Sequence, residues 1–142
     1  TNLKGTEIAI IHAGWRGICR GILSKTVNKM CSDPYDLIAW LGPAIGPCHY
    51  EVGGDVKDAL KKSISSKELW SRIETCFGES STEGKFFLDL YKTAGAMLKY
   101  LGVNKIYGDD HCTFRDREKY FSYRRDGETG RMVSTIFIDP KV

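Results

Sequence analysis

The chain has 142 residues, 21 basic and 18 acidic side chains, and a formal charge of +3. That length carries one domain with a real core, and 42% hydrophobic and 27% charged residues exclude a disordered chain. The charges are interleaved without a long basic run, which argues against nucleic acid, and no apolar run nears the roughly 18 residues of a membrane span.

Residues 8–11, Ile-Ala-Ile-Ile, form an apolar, largely β-branched run that reads as a buried strand. It opens into His12-Ala13-Gly14-Trp15-Arg16-Gly17. His12 would then stand at a strand's C-terminal end, where open α/β sheets usually put their chemistry. Gly14 and Gly17 permit close approach of backbone to ligand. Arg16 adds a planar cation suited to carboxylate or phosphate. A tight turn with a hydrogen-bonded histidine and a packed tryptophan is the competing reading.

Ile18, Ile22, Leu23, Val27 and Met30 recur at helical spacing and predict one amphipathic helix, stopped at Ser32-Asp33-Pro34. Residues 37–41 read as a second buried strand. The Gly42-Pro43 and Gly46-Pro47 steps after it exclude helix and regular strand. This rigid loop presents Cys48, His49, Tyr50 and Glu51 in succession, and a thiol beside an imidazole is a nucleophile or ligand cluster. In the alternative, Cys48 packs inward and His49 meets water.

Residues 55–62 predict a short helix, and Ser66 caps another that carries Leu69, Trp70, Ile73 and Phe77 on one face. Residues 78–84 are a polar loop. Asp89 caps a third helix through Leu101, and Gly102 ends it. Residues 103–107 predict a strand that empties into His111-Cys112. Residues 120–123 and 132–138 read as a hairpin-like pair around Asp126-Gly127. In a strand Arg124 and Arg125 would face opposite sides, and the inward one needs an anion or a carboxylate.

Three strand ends thus offer His12, Cys48-His49 and His111-Cys112, and two loops offer Arg16 and Arg124-Arg125. Imidazole with thiolate suits zinc or copper, and arginine forks suit phosphate. Five cysteines without CxxC spacing point to reduced thiols and a cytoplasmic protein.

His12-Ala-Gly-Trp-Arg-Gly17, Leu41 to Cys48 followed by Tyr50-Glu-Val52, and Cys112-Thr through Phe121-Ser-Tyr-Arg-Arg-Asp-Gly127 with Thr-Gly-Arg131 together resemble the YfiH family. That family is also called the laccase-domain or multicopper polyphenol oxidoreductase family. The resemblance implies an α/β fold of layered mixed sheets and helices, one domain over residues 1–142. It implies a zinc-dependent purine nucleoside phosphorylase acting on adenosine, inosine and methylthioadenosine, with adenosine deaminase activity. The older family reading is a copper-dependent phenol oxidase, and an inactive fragment is the third possibility.

By position, His12 corresponds to a zinc ligand of the family, whose partner histidine and cysteine belong to motifs upstream of Thr1. The chain therefore resembles the C-terminal part of a longer enzyme. Arg125 corresponds to an arginine near the substrate phosphate, with Arg16 and Cys48 lining the same pocket, and these three are the catalytic residues the resemblance implies. Arg124, Tyr50, His49 and Cys112 complete the implied substrate-binding set, although the family often has a second cysteine where His49 stands. A purine nucleoside and phosphate are the expected partners, with neither nucleic acid nor membrane, and a homodimer is the expected assembly.

Overall fold

The structure, a computed structural model, describes residues 1–139. Its helices arise where an apolar stripe meets a local start or stop signal. The first stripe is broken in two: α1 (Trp15–Cys19) and α2 (Ile22–Lys29) replace the single helix expected over 18–30. Gly21 lies between them at φ +74°, in the left-handed region that favours glycine. Its N–H closes the first turn on Ile18 O, and its carbonyl accepts from Lys25 N–H to begin the second. Ile18, Leu23 and Val27 still point into the core.

The next three helices fall where the sequence predicts them, except that Phe77, expected on the face of the second, lies beyond its end in a strand. They are α3 (Gly54–Ser63), α4 (Lys67–Glu74) and α5 (Leu90–Tyr100). The Ser66 hydroxyl accepts from Leu69 N–H at 3.2 Å and the Asp89 carboxylate from Lys92 N–H at 2.9 Å, satisfying amides that a helix start leaves unpaired. α5 packs against both α2 and α4, and α1 against α3. The fully buried Leu60, Ile73, Leu88 and Val103 join these helices into one hydrophobic cluster.

Two small sheets flank that cluster, giving the mixed α/β class. β1 (Ile38–Leu41) pairs in parallel with β5 (Lys105–Gly108). β2 (Glu51–Gly53), β4 (Lys85–Leu88) and β3 (Phe77–Glu79) form an antiparallel sheet in the order β2-β4-β3. The polar loop expected from residue 78 therefore starts later, because Gly78 and Glu79 pair with β4.

Three expectations about strands are corrected. Residues 8–11 form no strand, and Ile10 is 55% exposed. β1 forms but is half-buried at most: Ala39 and Leu41 pack partly buried against the core, while Trp40 and its register partner Tyr107 are exposed. The pair of runs at 120–123 and 132–138 makes no hairpin. Tyr123–Asp126 is instead a single helical turn, α6, and residues 127–139 form no regular element. A strand needs a ladder partner, and the described residues supply none to either of these runs.

β1 and β5 end side by side, and their C-terminal ends launch the two loops that carry the Cys-His pairs. Gly108, at φ +93°, allows this. A Cβ there would collide with the Leu41 carbonyl. Only glycine lets β5 turn away so close to β1.

Candidate active site

The two loops are tied together by side chains of the core. Tyr91 of α5 accepts from Ala44 N–H at 2.7 Å and donates to His111 O at 2.9 Å. Ala44 and Cys112 form a parallel bridge, with Thr113 N–H donating to Ala44 O at 2.9 Å. The Cys112 thiol is buried and accepts from Gly46 N–H at 3.2 Å and Arg115 N–H at 3.4 Å. His49 Nδ1 lies 3.5 Å from Cys112 Sγ, and its ring stacks on Phe114 with centroids 4.6 Å apart. Asp116 closes this knot by accepting Cys112 N–H at 3.0 Å. The Arg115 guanidinium beside it, with that N–H, holds the Asp116 carboxyl down at about 2.

Only part of the expected three-strand-end cluster is thus assembled. His49 and Cys112 meet, while Cys48, on the same loop, is exposed. His111 turns to Asp110, with Nε2 3.3 Å from Oδ1, and sets its ring edge against Tyr120. His12 lies elsewhere and folds its imidazole over Gly14, where an added Cβ would stand 3.0 Å from Nε2. Among the described residues no group of three His, Cys, Asp or Glu side chains could hold a metal ion. The residues present therefore do not fit a resident zinc or copper ion on their own, since His12 supplies one ligand where three protein ligands are usual.

The arginines build a different place. A depression of about 360 Å³ is lined by Trp15, Arg16, Tyr50, Val52, Lys85 and Arg124, among others. α1 delivers Arg16, the segment before β2 delivers Tyr50, and α6 delivers Arg124. The Arg16 guanidinium rests over Trp15, 4.5 Å from the ring centroid, and among the described residues it makes no hydrogen bond or ion pair. Arg124 lies over the Tyr50 ring at 5.2 Å and donates to Glu51 O at 2.7 Å. Burial pushes the Tyr50 phenol up, against the opposing pull of Arg124 and then Arg16. Both cations are therefore close enough to act on one ring.

The Glu51 carboxylate shapes the rim. It accepts from Ser80 at 2.6 Å, Thr82 at 3.2 Å and Lys85 at 3.0 Å, and these donors, Ser80 first, lower its pKa. The lysine at the rim is thereby partly neutralised. Asp55 adds a second carboxylate to the lining, so the two arginines leave the depression with a net positive charge.

The expected site residues therefore separate into groups. Arg16, Tyr50 and Arg124 share the depression, whereas Cys48, His49 and Cys112 do not line it. Arg125, expected beside a substrate, is turned the other way: its side chain is 7% exposed and grips Asp126. An inward arginine with a carboxylate partner is thus found, although on a helical turn rather than a strand. Tyr91 escaped sequence reasoning because its ring sits on the apolar stripe of α5, which hides the hydroxyl. The sequence quotes Glu51 within a motif but says nothing of its three distant donors.

This scaffold has known counterparts. The family model described as multi-copper polyphenol oxidoreductase laccase matches residues 1–139. The chain belongs to that family. A purine nucleoside phosphorylase of Haemophilus influenzae is 45% identical over 140 residues, covering 98% of this chain and 55% of the relative. Purine nucleoside phosphorylase YfiH of Escherichia coli is 44% identical over 137 residues, 96% of this chain and 53% of that protein. The crystal structure of Neisseria meningitidis protein NMB0706 superposes with a TM-score of 0.80 at 43% identity, over 89% of this chain and 49% of its own. The laccase-family chain described here spans about half the length of the curated relatives it matches. No helix among its described residues is long and apolar enough to cross a membrane.

Proposed function

We propose that this chain carries the phosphate-binding part of a purine nucleoside phosphorylase site. The observation that supports this reading most directly is the convergence of Arg16 and Arg124 on Tyr50 in one open depression. A phosphate dianion has three charged or acceptor oxygens, and guanidinium forks match two of them at a time. Arg16, whose guanidinium makes no hydrogen bond or ion pair among the described residues, and the unspent donors of Arg124 would hold the phosphate and partly offset its charge. Orientation of that kind converts a slow bimolecular displacement into an effectively intramolecular one. In the displacement, a phosphate oxygen bonds to the ribose anomeric carbon while the N-glycosidic bond breaks and the purine leaves with the electron pair. Tyr50, a neutral phenol at physiological pH, is a platform and hydrogen-bonding group rather than an anion at the phosphate.

The relatives named as purine nucleoside phosphorylases support the reaction class. Adenosine, inosine and methylthioadenosine are the nucleosides we infer, and adenosine deamination the accompanying activity, both on the family resemblance. Zinc is the inferred metal, with His12 as one ligand and the others contributed by polypeptide outside the described residues. The copper phenol-oxidase alternative would likewise need ligands from outside the described residues, among which no group of three could hold a metal ion. Five free thiols favour the cytoplasm.

The deciding experiment measures hypoxanthine released from inosine with and without inorganic phosphate, alongside a phosphate titration of the same protein. Phosphate-dependent release is expected, with phosphate affinity falling about tenfold in Arg16→Ala, the scale of one charge-assisted hydrogen bond. Phosphate affinity unchanged in both Arg16→Ala and Arg124→Ala would overturn the reading.

A further inference from the structure

Arg125 uses every donor it has on the protein itself. Its Nε and Nη2 grip the two Asp126 oxygens at 2.8 and 2.7 Å. Nη2 also donates to Tyr120 O at 3.0 Å, and Nη1 donates to the carbonyls of Thr113 and Phe114 at 2.9 and 3.0 Å. A guanidinium carries five N–H donors, so none is left for a ligand. Burial of the side chain makes each of these bonds costly to lose.

The element that holds this arginine could not stand by itself. α6 is four residues long, and its N-cap residue Ser122 makes no side-chain cap bond. A single helical turn in isolation is unstable. Three carbonyls of the 113–120 segment converge on Arg125 and fasten the turn in place. Arg124 is the adjacent residue on the same turn. Where Arg125 is anchored determines where Arg124 emerges, which is over Tyr50 at the depression.

We propose that Arg125 is a positioning residue: by locking α6 onto the 113–120 segment it aims Arg124 across Tyr50 into the anion site. Lysine could not replace it, because an ammonium has no planar fork to satisfy a carboxylate and three carbonyls together. The proposal rests on the phosphate-site reading of Arg16 and Arg124 for its consequence, but the aiming itself is a separate, ligand-free property.

The experiment therefore has two arms, run on the 142-residue chain with Arg125→Lys, Asp126→Asn and Arg124→Ala. In the first, without ligand, aromatic NMR follows the Tyr50 ring. The Tyr50 signals of Arg125→Lys should move towards those of Arg124→Ala, and those of Asp126→Asn part of the way. Tyr50 signals left at wild-type positions in folded Arg125→Lys and Asp126→Asn would overturn the proposal. If Arg125→Lys does not fold, Asp126→Asn, which keeps the three carbonyl contacts, decides it alone. In the second arm, inorganic phosphate is titrated. Affinity should fall about tenfold in Arg125→Lys, and the Arg124→Ala/Arg125→Lys pair should lose no more than Arg124→Ala alone, since one residue acts through the other. Additive losses would overturn the proposal. Absence of phosphate binding by wild type would instead count against the phosphate-site reading, with the Tyr50 signals still deciding the aiming.

Discussion

Arg124 and Tyr50, far apart in the chain, meet face to ring with the guanidinium carbon 5.2 Å from the ring centroid. The contact joins the last helical turn of the chain to the segment before β2. It also leaves one charge in two roles, as a cation on an aromatic face and as a donor towards the open depression.

Removing that charge should be visible in the phenol. Burial raises the Tyr50 pKa and Arg124 is the first of the influences that lower it. Arg124→Ala removes the lowering influence, so Tyr50 should titrate at higher pH than in wild type. Ultraviolet or NMR titration of the phenol checks this, and an unchanged or lower pKa would contradict the geometry.

The Asp116 carboxyl should set an acid limit to stability. Its pKa lies at about 2 in the folded chain, against an ordinary 3.8. A depressed carboxylate pKa contributes stability that is complete above the unfolded value and is lost as pH falls through the folded one. The loss should therefore run from about pH 4 to about pH 2. Thermal unfolding of wild type and Asp116→Asn across that window should show a steeper decline in wild type.

Tyr91→Phe should destabilise the chain by about 1–3 kcal/mol, because Ala44 N–H and His111 O lose their shared partner. The ring still fills the same space on α5. Urea unfolding measures the loss, and hydrogen exchange should show the Ala44 amide losing protection.

Gly108→Ala should cost more than about 2 kcal/mol, combining a left-handed backbone with a collision against Leu41. Denaturant midpoints compare it with Gly95→Ala, a helical site where an added Cβ meets nothing within 4 Å and a small gain is expected.

Zinc should bind this chain weakly. His12 belongs to no group of three metal ligands among the described residues, so competition with a zinc-sensitive dye should give a dissociation constant weaker than micromolar. Micromolar or tighter binding that is lost in His12→Ala would show that His12 has partners in this fold after all.

The sequence by itself determined the parts whose hydrogen bonds close locally. The apolar spacing of α3, α4 and α5, the caps at Ser66 and Asp89 and the stop at Gly102 were all legible, because a helix satisfies its backbone within a few residues. The three motifs were legible too, and they led to the family. Tertiary structure decided the rest. Residues 8–11 and 132–138 have strand-like composition, yet a strand exists only against a partner, which local sequence does not specify, and neither run has one among the described residues. The roles of the paired arginines were likewise beyond the sequence. Arg124 and Arg125 are adjacent and chemically identical, and one faces an open depression while the other is buried against three carbonyls and a carboxylate. What separates them is the placement of acceptors from distant residues, which no local pattern encodes.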